Sequence, residues 1–192
     1  NIGGSTLGGI VIGASPDTIT LDTDMVCDSL TVSSGDVLVT DGYEIDSAGA
    51  ITIHGTLNAA SGTDGNSTIN SAGDWTIDAA ATFISTNSTV IFDGTAAQSI
   101  TSNSKAYSTI EVRNVDAVVT FTDAFTTANF TIDSDNYAGT VEVDFKESLT
   151  YIITGTLTLD GASGEEITLD SQDGVTRFTL DVQGGDQYVD YV

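Results

Sequence analysis

Apolar and polar residues alternate one by one through short runs along the whole chain. Ser29-Leu30-Thr31-Val32 and Thr156-Leu157-Thr158-Leu159 are typical of these runs. Strict alternation is the pattern of a β-strand that buries one of its two faces. Turn formers such as Asp-Gly and Ser-Ala-Gly separate the runs, and no stretch has the spacing of an amphipathic helix. The pattern predicts an all-β protein.

The runs recur at a regular interval. Residues 45–53 (IDSAGAITI) return 24 residues later as residues 69–77 (INSAGDWTI). Other equivalent positions are 21 residues apart, as from Val32 to Ile53, or 22 apart, as from Ile110 to Ile132. A unit this short cannot bury an apolar face alone and must stack on its neighbours. The spacing predicts a β-solenoid with coils of about 20–24 residues, and about nine coils in all.

A longer spacing supports an alternative fold. Residues 53–57 (IHGTL) are echoed 100 residues later by residues 153–157 (ITGTL). Two tandem β-sandwich domains of about 100 residues each would produce that echo. The shorter period accounts for more of the strands and therefore favours the solenoid, with the tandem sandwiches as the second interpretation.

The single proline, Pro16, marks a change of amino-acid composition near the beginning of the chain. Residues 1–16 are a glycine-rich, apolar lead-in. Residues 17–192 form the β-repeat domain, whose pattern we expect to continue beyond the end of the chain. Within the lead-in, Ile10-Val11-Ile12 is a candidate assembly strand, since a free strand can add to the edge of a neighbour's sheet. Head-to-tail repetition of that contact would give an open fibre.

Charge is the extreme property of the composition. The 192 residues include 28 acidic and four basic residues, for a net charge of −24. Such a chain repels nucleic acid and anionic membrane surfaces. No apolar run is long enough to cross a membrane, so membrane insertion is not expected. The amino-acid composition, which is rich in Thr, Ser, Asn, Gly and Asp, favours an extracellular or cell-surface location.

Sequence motifs for catalysis are absent. His54 is the only histidine and Cys27 the only cysteine, so neither a multi-histidine metal centre nor an internal disulfide can form. The remaining enzyme hypothesis is a polysaccharide lyase or hydrolase that uses Lys146 with its acidic neighbours Asp144 and Glu147. We expect no enzymatic activity.

Calcium is the ligand that the composition favours, because hard carboxylate oxygens are abundant. The candidate ligands fall in three short clusters, which match neither the EF-hand pattern nor the glycine-rich nonapeptide of calcium-binding β-rolls. They are Asp22, Asp24 and Asp28; Asp133, Asp135 and Asn136; and Asp160, Glu165 and Glu166.

Two features of the sequence suggest that the protein carries or binds carbohydrate. Three Asn-x-Ser/Thr sequons make Asn66, Asn87 and Asn129 candidate glycosylation sites. Exposed aromatic side chains could also serve as platforms for a bound glycan. The candidates are Trp75, Tyr107, Tyr137, Tyr151, Tyr188 and Tyr191.

From about residue 45 the chain resembles the repetitive β-solenoid segments of large bacterial and archaeal cell-surface proteins. Three segments carry the likeness: residues 55–57 (GTL), 90–100 (VIFDGTAAQSI) and 155–159 (GTLTL). The closing stretch, residues 167–192, also resembles a segment common in them. The resemblance implies surface, adhesive or filament-forming roles and supplies no catalytic residues.

These observations together predict a structural extracellular protein, a subunit or repeat unit of a surface filament, sheath or adhesin stalk. Its main partner would be further copies of itself, joined through strand edges. The alternatives are a carbohydrate-binding adhesin module and a polysaccharide-degrading enzyme on a β-helix.

Overall fold

The structure is a computed structural model that describes residues 7–13, 16–60, 62–134, 139–185 and 187–192. These residues form 21 short strands and no helix. The first seven are β1 (Leu7–Ile12), β2 (Thr18–Thr20), β3 (Met25–Val32), β4 (Val37–Val39), β5 (Ile45–Ser47), β6 (Ile51–Ile53) and β7 (Thr56–Asn58). The next seven are β8 (Thr68–Ser71), β9 (Trp75–Ile77), β10 (Thr82–Ile84), β11 (Thr89–Phe92), β12 (Gln98–Thr101), β13 (Ala106–Val112) and β14 (Val118–Phe121). The last seven are β15 (Thr126–Asp133), β16 (Val141–Phe145), β17 (Thr150–Ile153), β18 (Leu157–Asp160), β19 (Ile167–Ser171), β20 (Thr179–Val182) and β21 (Gln187–Asp190).

The strands stack in three parallel ladders around one core, which confirms the β-solenoid. The first ladder has nine rungs, and its inward positions are Leu7, Cys27, Ser47, Ser71, Phe92, Val112, Ile132, Leu159 and Val189. The second ladder has eight rungs, and its inward positions are Ile10, Leu30, Ile51, Trp75, Ile100, Phe121, Phe145 and Ser171.

The third ladder is built in two parts. Its first four rungs are β2, β4, β7 and β10. It continues through the first residues of β13 and β15 and then through β17 and β20. The Phe83 and Tyr107 rings, 5.2 Å apart, join the two parts across the core. The chain visits the three ladders in the same order in each coil.

The length of a coil varies along the solenoid. Successive rungs of the first ladder are 20 residues apart at Cys27 and Ser47 and 24 apart at Ser47 and Ser71. Towards the C-terminal end the intervals grow to 27 residues at Ile132–Leu159 and 30 at Leu159–Val189, because the turns between the strands lengthen.

The two sequence repeats have different structural meanings. Residues 45–53 lie directly beneath residues 69–77, with Ile45 opposite Ile69 and Ile51 opposite Trp75. The two segments that are 100 residues apart form similar turns at different corners of the solenoid. Residues 53–57 join β6 to β7, whereas residues 153–157 join β17 to β18. The tandem β-sandwich interpretation is therefore wrong: every strand pair of the described residues is parallel, apart from two isolated bridges inside tight turns.

The core is a continuous apolar column in which aromatic rings stack from rung to rung. Trp75 begins the stack and Phe178 ends it, and ring contacts link all of its members within 6.4 Å. The members are Trp75, Phe83, Phe92, Tyr107, Phe121, Phe125, Phe130, Phe145, Tyr151 and Phe178.

The described part of the lead-in is the first rung of this solenoid. β1 pairs with β3, Ile10 and Ile12 are half-buried against the core, and Val11 is 66% exposed. Residues 1–6, 14 and 15 lie outside the described residues. No helix in the described part of the chain has the length and apolar character needed to span a membrane.

Candidate functional site

The predicted calcium ligands are distributed along the solenoid. The described residues contain no group of three or more His, Cys, Asp or Glu side chains that could hold a metal ion. Asp22 and Asp24 are exposed in the bend between β2 and β3, where Asp24 Oδ1 accepts a hydrogen bond from the Glu44 amide at 3.0 Å. Glu165 lies in the turn before β19, and its carbonyl accepts a hydrogen bond from Ser134 Oγ. Asp135 and Asn136 lie outside the described residues.

Two of the predicted ligands do come together, in a column of acidic side chains on the first ladder. Asp133, Asp160 and Asp190 occupy the same position on three successive rungs. Arg113 stands one rung before Asp133, since it follows Val112 and Val112 lies opposite Ile132. Like charges directly opposite each other weaken a sheet. This column therefore opposes rung stacking at the C-terminal end.

A second pair of stacked carboxylates lies on the second ladder, where Asp144 of β16 is opposite Asp170 of β19. Partial burial raises the pKa of Asp144 above its ordinary value, and the negative charges of Glu142 and Asp170 raise it further. The ionised carboxylate is thus less stable in the folded chain than in the unfolded chain, and protonation favours folding.

Replacing Asp144 with asparagine should stabilise the fold at neutral pH. Removing one like-charge contact is expected to add about 0.2–1 kcal/mol to the free energy of unfolding. Since the folded pKa lies above the unfolded one, this gain should be complete at pH 7 and disappear as the pH falls below the ordinary value of 3.8. Urea unfolding of dilute protein between pH 3 and pH 7 measures the effect.

Asp28→Asn is the matched control for that experiment. Asp28 is also an exposed strand residue, but its neighbours on the ladder are the uncharged Gly8 and Ala48. An equal, pH-independent gain in both variants would show that repulsion at Asp144 is not the cause.

The candidates for enzyme chemistry stand apart from one another. His54 pairs with Asp78 on the neighbouring rung, with Nδ1 and Oδ2 2.5 Å apart, and both side chains are substantially exposed. Lys146 is exposed in the turn after β16. A cavity of about 320 Å³ lies at the turn between β19 and β20, and its lining, residues 170–171 and 174–178, does not include Lys146.

The three sequons differ in their surroundings. Asn66 and Asn87 are exposed at turns immediately before β8 and β11, on neighbouring rungs. Asn129 is half-buried inside β15, where its Nδ2 donates to Thr109 Oγ1 at 3.3 Å and its Oδ1 accepts from the Thr156 amide at 3.3 Å.

Half of the proposed aromatic platforms belong to the core. Trp75 and Tyr151 are fully buried and Tyr107 is 4% exposed, so these three are wrong as glycan platforms. Their rings fill the aromatic stack, and the indole of Trp75 donates to the Tyr107 hydroxyl at 2.9 Å. Tyr137 lies outside the described residues, whereas Tyr188 and Tyr191 are about half exposed.

Exposed apolar side chains are concentrated at the two ends of the solenoid. At the N-terminal end, Val11, Ile19 and Val26 are 42–66% exposed. At the C-terminal end the exposed set is Val175, Tyr188, Val189, Tyr191 and Val192. Among the described residues, Ile84 is the one other large apolar side chain with comparable exposure, and it lies in the middle of the third ladder.

Strand edges that have no partner within the described residues lie at the same two ends and at β10, where the third ladder passes to the first residues of β13. β1 and β2 pair on one side only, as do β19, β20 and β21. Unpaired parallel edges and exposed apolar side chains together are the properties of a surface that adds another strand layer. The sequence indicated Ile10-Val11-Ile12 as a candidate assembly strand, and it predicted that the pattern of the closing stretch, residues 167–192, continues into further repeats.

Comparison with protein-family models, with curated proteins and with solved structures finds no match to this chain.

Proposed function

We propose that this chain is a structural extracellular protein that joins end to end with further copies in a surface filament, sheath or adhesin stalk. The observation that carries the proposal is the concentration of exposed apolar side chains and unpaired strand edges at the two ends of the solenoid.

The physics of a parallel solenoid supports this function. Each internal rung is stabilised by backbone hydrogen bonds and by burial of its inward side chains on the next rung. An end rung lacks one of these two neighbours, so a second copy supplies the same contact that already holds the coils together. The acidic sides repel one another, which favours elongation over lateral clumping.

Positive charges introduced at both ends of the solenoid should block assembly. We expect the double variant Val11→Lys/Val189→Lys to remain monomeric, because lysine on an edge strand resists further strand pairing. Sedimentation velocity and negative-stain electron microscopy measure assembly, and circular dichroism checks that the variant is folded.

The matched control is Ile84→Lys. Ile84 is 40% exposed, close to the exposure of several end residues, but it lies on the side of the rod. The control should assemble like the natural chain. Assembly of the double variant, or a natural chain that stays monomeric at every concentration, would contradict the proposal.

A further inference from the structure

One sheet face of the solenoid has no charged side chain in its strands. This neutral face is the outward side of β2, β4, β7 and β10, the first four rungs of the third ladder. Their eight outward side chains form two in-register columns. One column is Thr18, Val37, Thr56 and Thr82, and the other is Thr20, Val39, Asn58 and Ile84.

Strand alternation places these eight side chains on the outside of the rod. Between the two columns, Leu38 and Leu57 point inward and are fully buried, and Phe83 packs against the core. Four side chains of the neutral face are exposed and the other four are partly exposed. The face runs along the side of the rod, so a ligand bound there does not compete for the strand edges.

The lack of charge on this face contrasts with the rest of the chain, whose net charge is −24. Over the same coils, the exposed outward positions of the other two ladders include Asp28, Asp46 and Asp74. Asp22 and Asp41 lie two residues beyond the neutral face and mark its edge. A cationic partner would bind the acidic faces, and an anionic partner is repelled by the whole molecule. The neutral face is therefore complementary to an uncharged ligand.

The side chains of the neutral face form a regular and rigid array. Seven of the eight are threonine, valine or isoleucine, whose branched Cβ restricts the first side-chain torsion. Members of one column are about 4.8 Å apart and the two columns are about 7 Å apart, because these are the distance between paired strands and the length of two strand residues. Methyl and hydroxyl groups therefore repeat at fixed positions in two dimensions.

The four threonine hydroxyls of the neutral face have no hydrogen-bond partner among the residues that the structure describes. On the second ladder, by contrast, Thr101 and Thr122 bond to each other, with their Oγ1 atoms 2.8 Å apart. The hydroxyls of the neutral face are thus available to a ligand that presents donors and acceptors at the same spacing.

The size and chemistry of the neutral face narrow the choice of ligand. Four rungs and two columns present on the order of 200 Å², whereas a stable protein–protein interface buries about 800 Å² on each partner. The face has no aromatic side chain and only one amide, that of Asn58, so it offers a sugar neither a stacking platform nor a set of directed polar groups. A solid lattice needs less area, because its growth around an adsorbed molecule prevents release.

We propose that the neutral face adsorbs to ice. The spacing of about 4.8 Å along its columns is close to the shortest repeat of the oxygen lattice in hexagonal ice, so successive rungs meet equivalent water positions. A lattice water both donates and accepts hydrogen bonds, as a threonine hydroxyl does. The methyl groups between the hydroxyls do not compete for those bonds, whereas an ion would turn the neighbouring waters away from their lattice positions.

Freezing experiments test this activity. A slowly growing ice crystal should incorporate the fluorescently labelled natural chain and exclude a labelled carrier protein, and its freezing point should fall below its melting point. Val39→Lys should lose both effects, because it places a charged, flexible side chain in the middle of the array. Val39→Thr should keep both, since threonine has nearly the same shape and adds a hydroxyl.

The matched control is Thr52→Lys. Thr52 is also partly exposed and lies outward in the middle of the second ladder, between Thr31 and Thr76. This variant should be incorporated into ice like the natural chain. Circular dichroism and urea unfolding check that every variant is folded, so that a loss in Val39→Lys alone reports on the neutral face.

Three results would overturn the proposal. The first is a natural chain that ice excludes and that leaves the freezing and melting points equal. The second is an equal loss in Val39→Lys and Thr52→Lys, since the effect would then not depend on the neutral face. The third is sedimentation of the natural chain with insoluble cellulose or chitin without incorporation into ice, which would assign the face to a polysaccharide. End-to-end assembly is measured separately and stands or falls independently of these results.

Discussion

Phe121→Ala should lower the free energy of unfolding by about 3–5 kcal/mol, the range for deleting a buried phenylalanine. Phe121 is fully buried in the middle of the aromatic stack. Its ring lies 4.8 Å from that of Phe125 and is stacked on that of Phe145 at 5.5 Å with an interplanar angle of 11°. The rungs on both sides are fixed by the ladders, so the cavity cannot collapse. Urea denaturation followed by circular dichroism measures the loss.

The control for that variant is Phe178→Ala. Phe178 contacts the same stack, with its ring 4.6 Å from that of Phe145, but it is only partly buried near the C-terminal end. We expect a smaller loss there, because the site already has solvent on one side. Equal losses in the two variants would contradict the view that the central stack carries most of the core's stability.

Gly55→Ala is expected to destabilise the fold by about 3 kcal/mol, the upper end of the usual cost of overpacking. A Cβ at position 55 would lie 2.2 Å from the Ser33 carbonyl oxygen and 2.4 Å from that of Asp36. Both are backbone atoms of the preceding coil, so neither can move without breaking the corner. The Gly55 amide also donates to the Val32 carbonyl at 3.0 Å, which fixes the turn from β6 to β7. Thermal unfolding measures the change.

Gly185→Ala provides the comparison for Gly55→Ala. A Cβ at Gly185 meets no atom within 4 Å, so we expect its melting temperature to stay near that of the natural chain. A comparable fall in both variants would indicate that the intrinsic properties of glycine, and not close approach between coils, determine the effect.

The sequence predicted much of the candidate site at one end and little at the other. Ile10-Val11-Ile12 is an apolar run in a glycine-rich segment, and the structure places it on an edge strand. At the other end, residues 187–190 alternate like any internal strand. Whether such a strand is internal or at an edge depends on what stacks on it, which no local pattern records.

The repeats were open to two interpretations for the same reason. Residues 45–53 and 69–77 share a register because the turn between them brings Ile45 over Ile69. Residues 53–57 and 153–157 share letters because two corners need the same tight glycine turn, although they connect different ladders. In both cases the similar sequences reflect a similar local backbone conformation. Only residues 45–53 and 69–77 also occupy equivalent positions in successive coils.

By itself the sequence determined the all-β class, the stacking of short coils and the strongly negative net charge of the chain. These properties follow from period-2 alternation, a repeat too short to bury its own core, and composition, all of which are local or additive. The tertiary structure alone decided that Trp75, Tyr107 and Tyr151 are buried, that Asp133 and Asp160 stand opposite each other, and that the ends differ by one strand. Those facts depend on which residues meet after each turn, because the lengths of the turns set the register between coils.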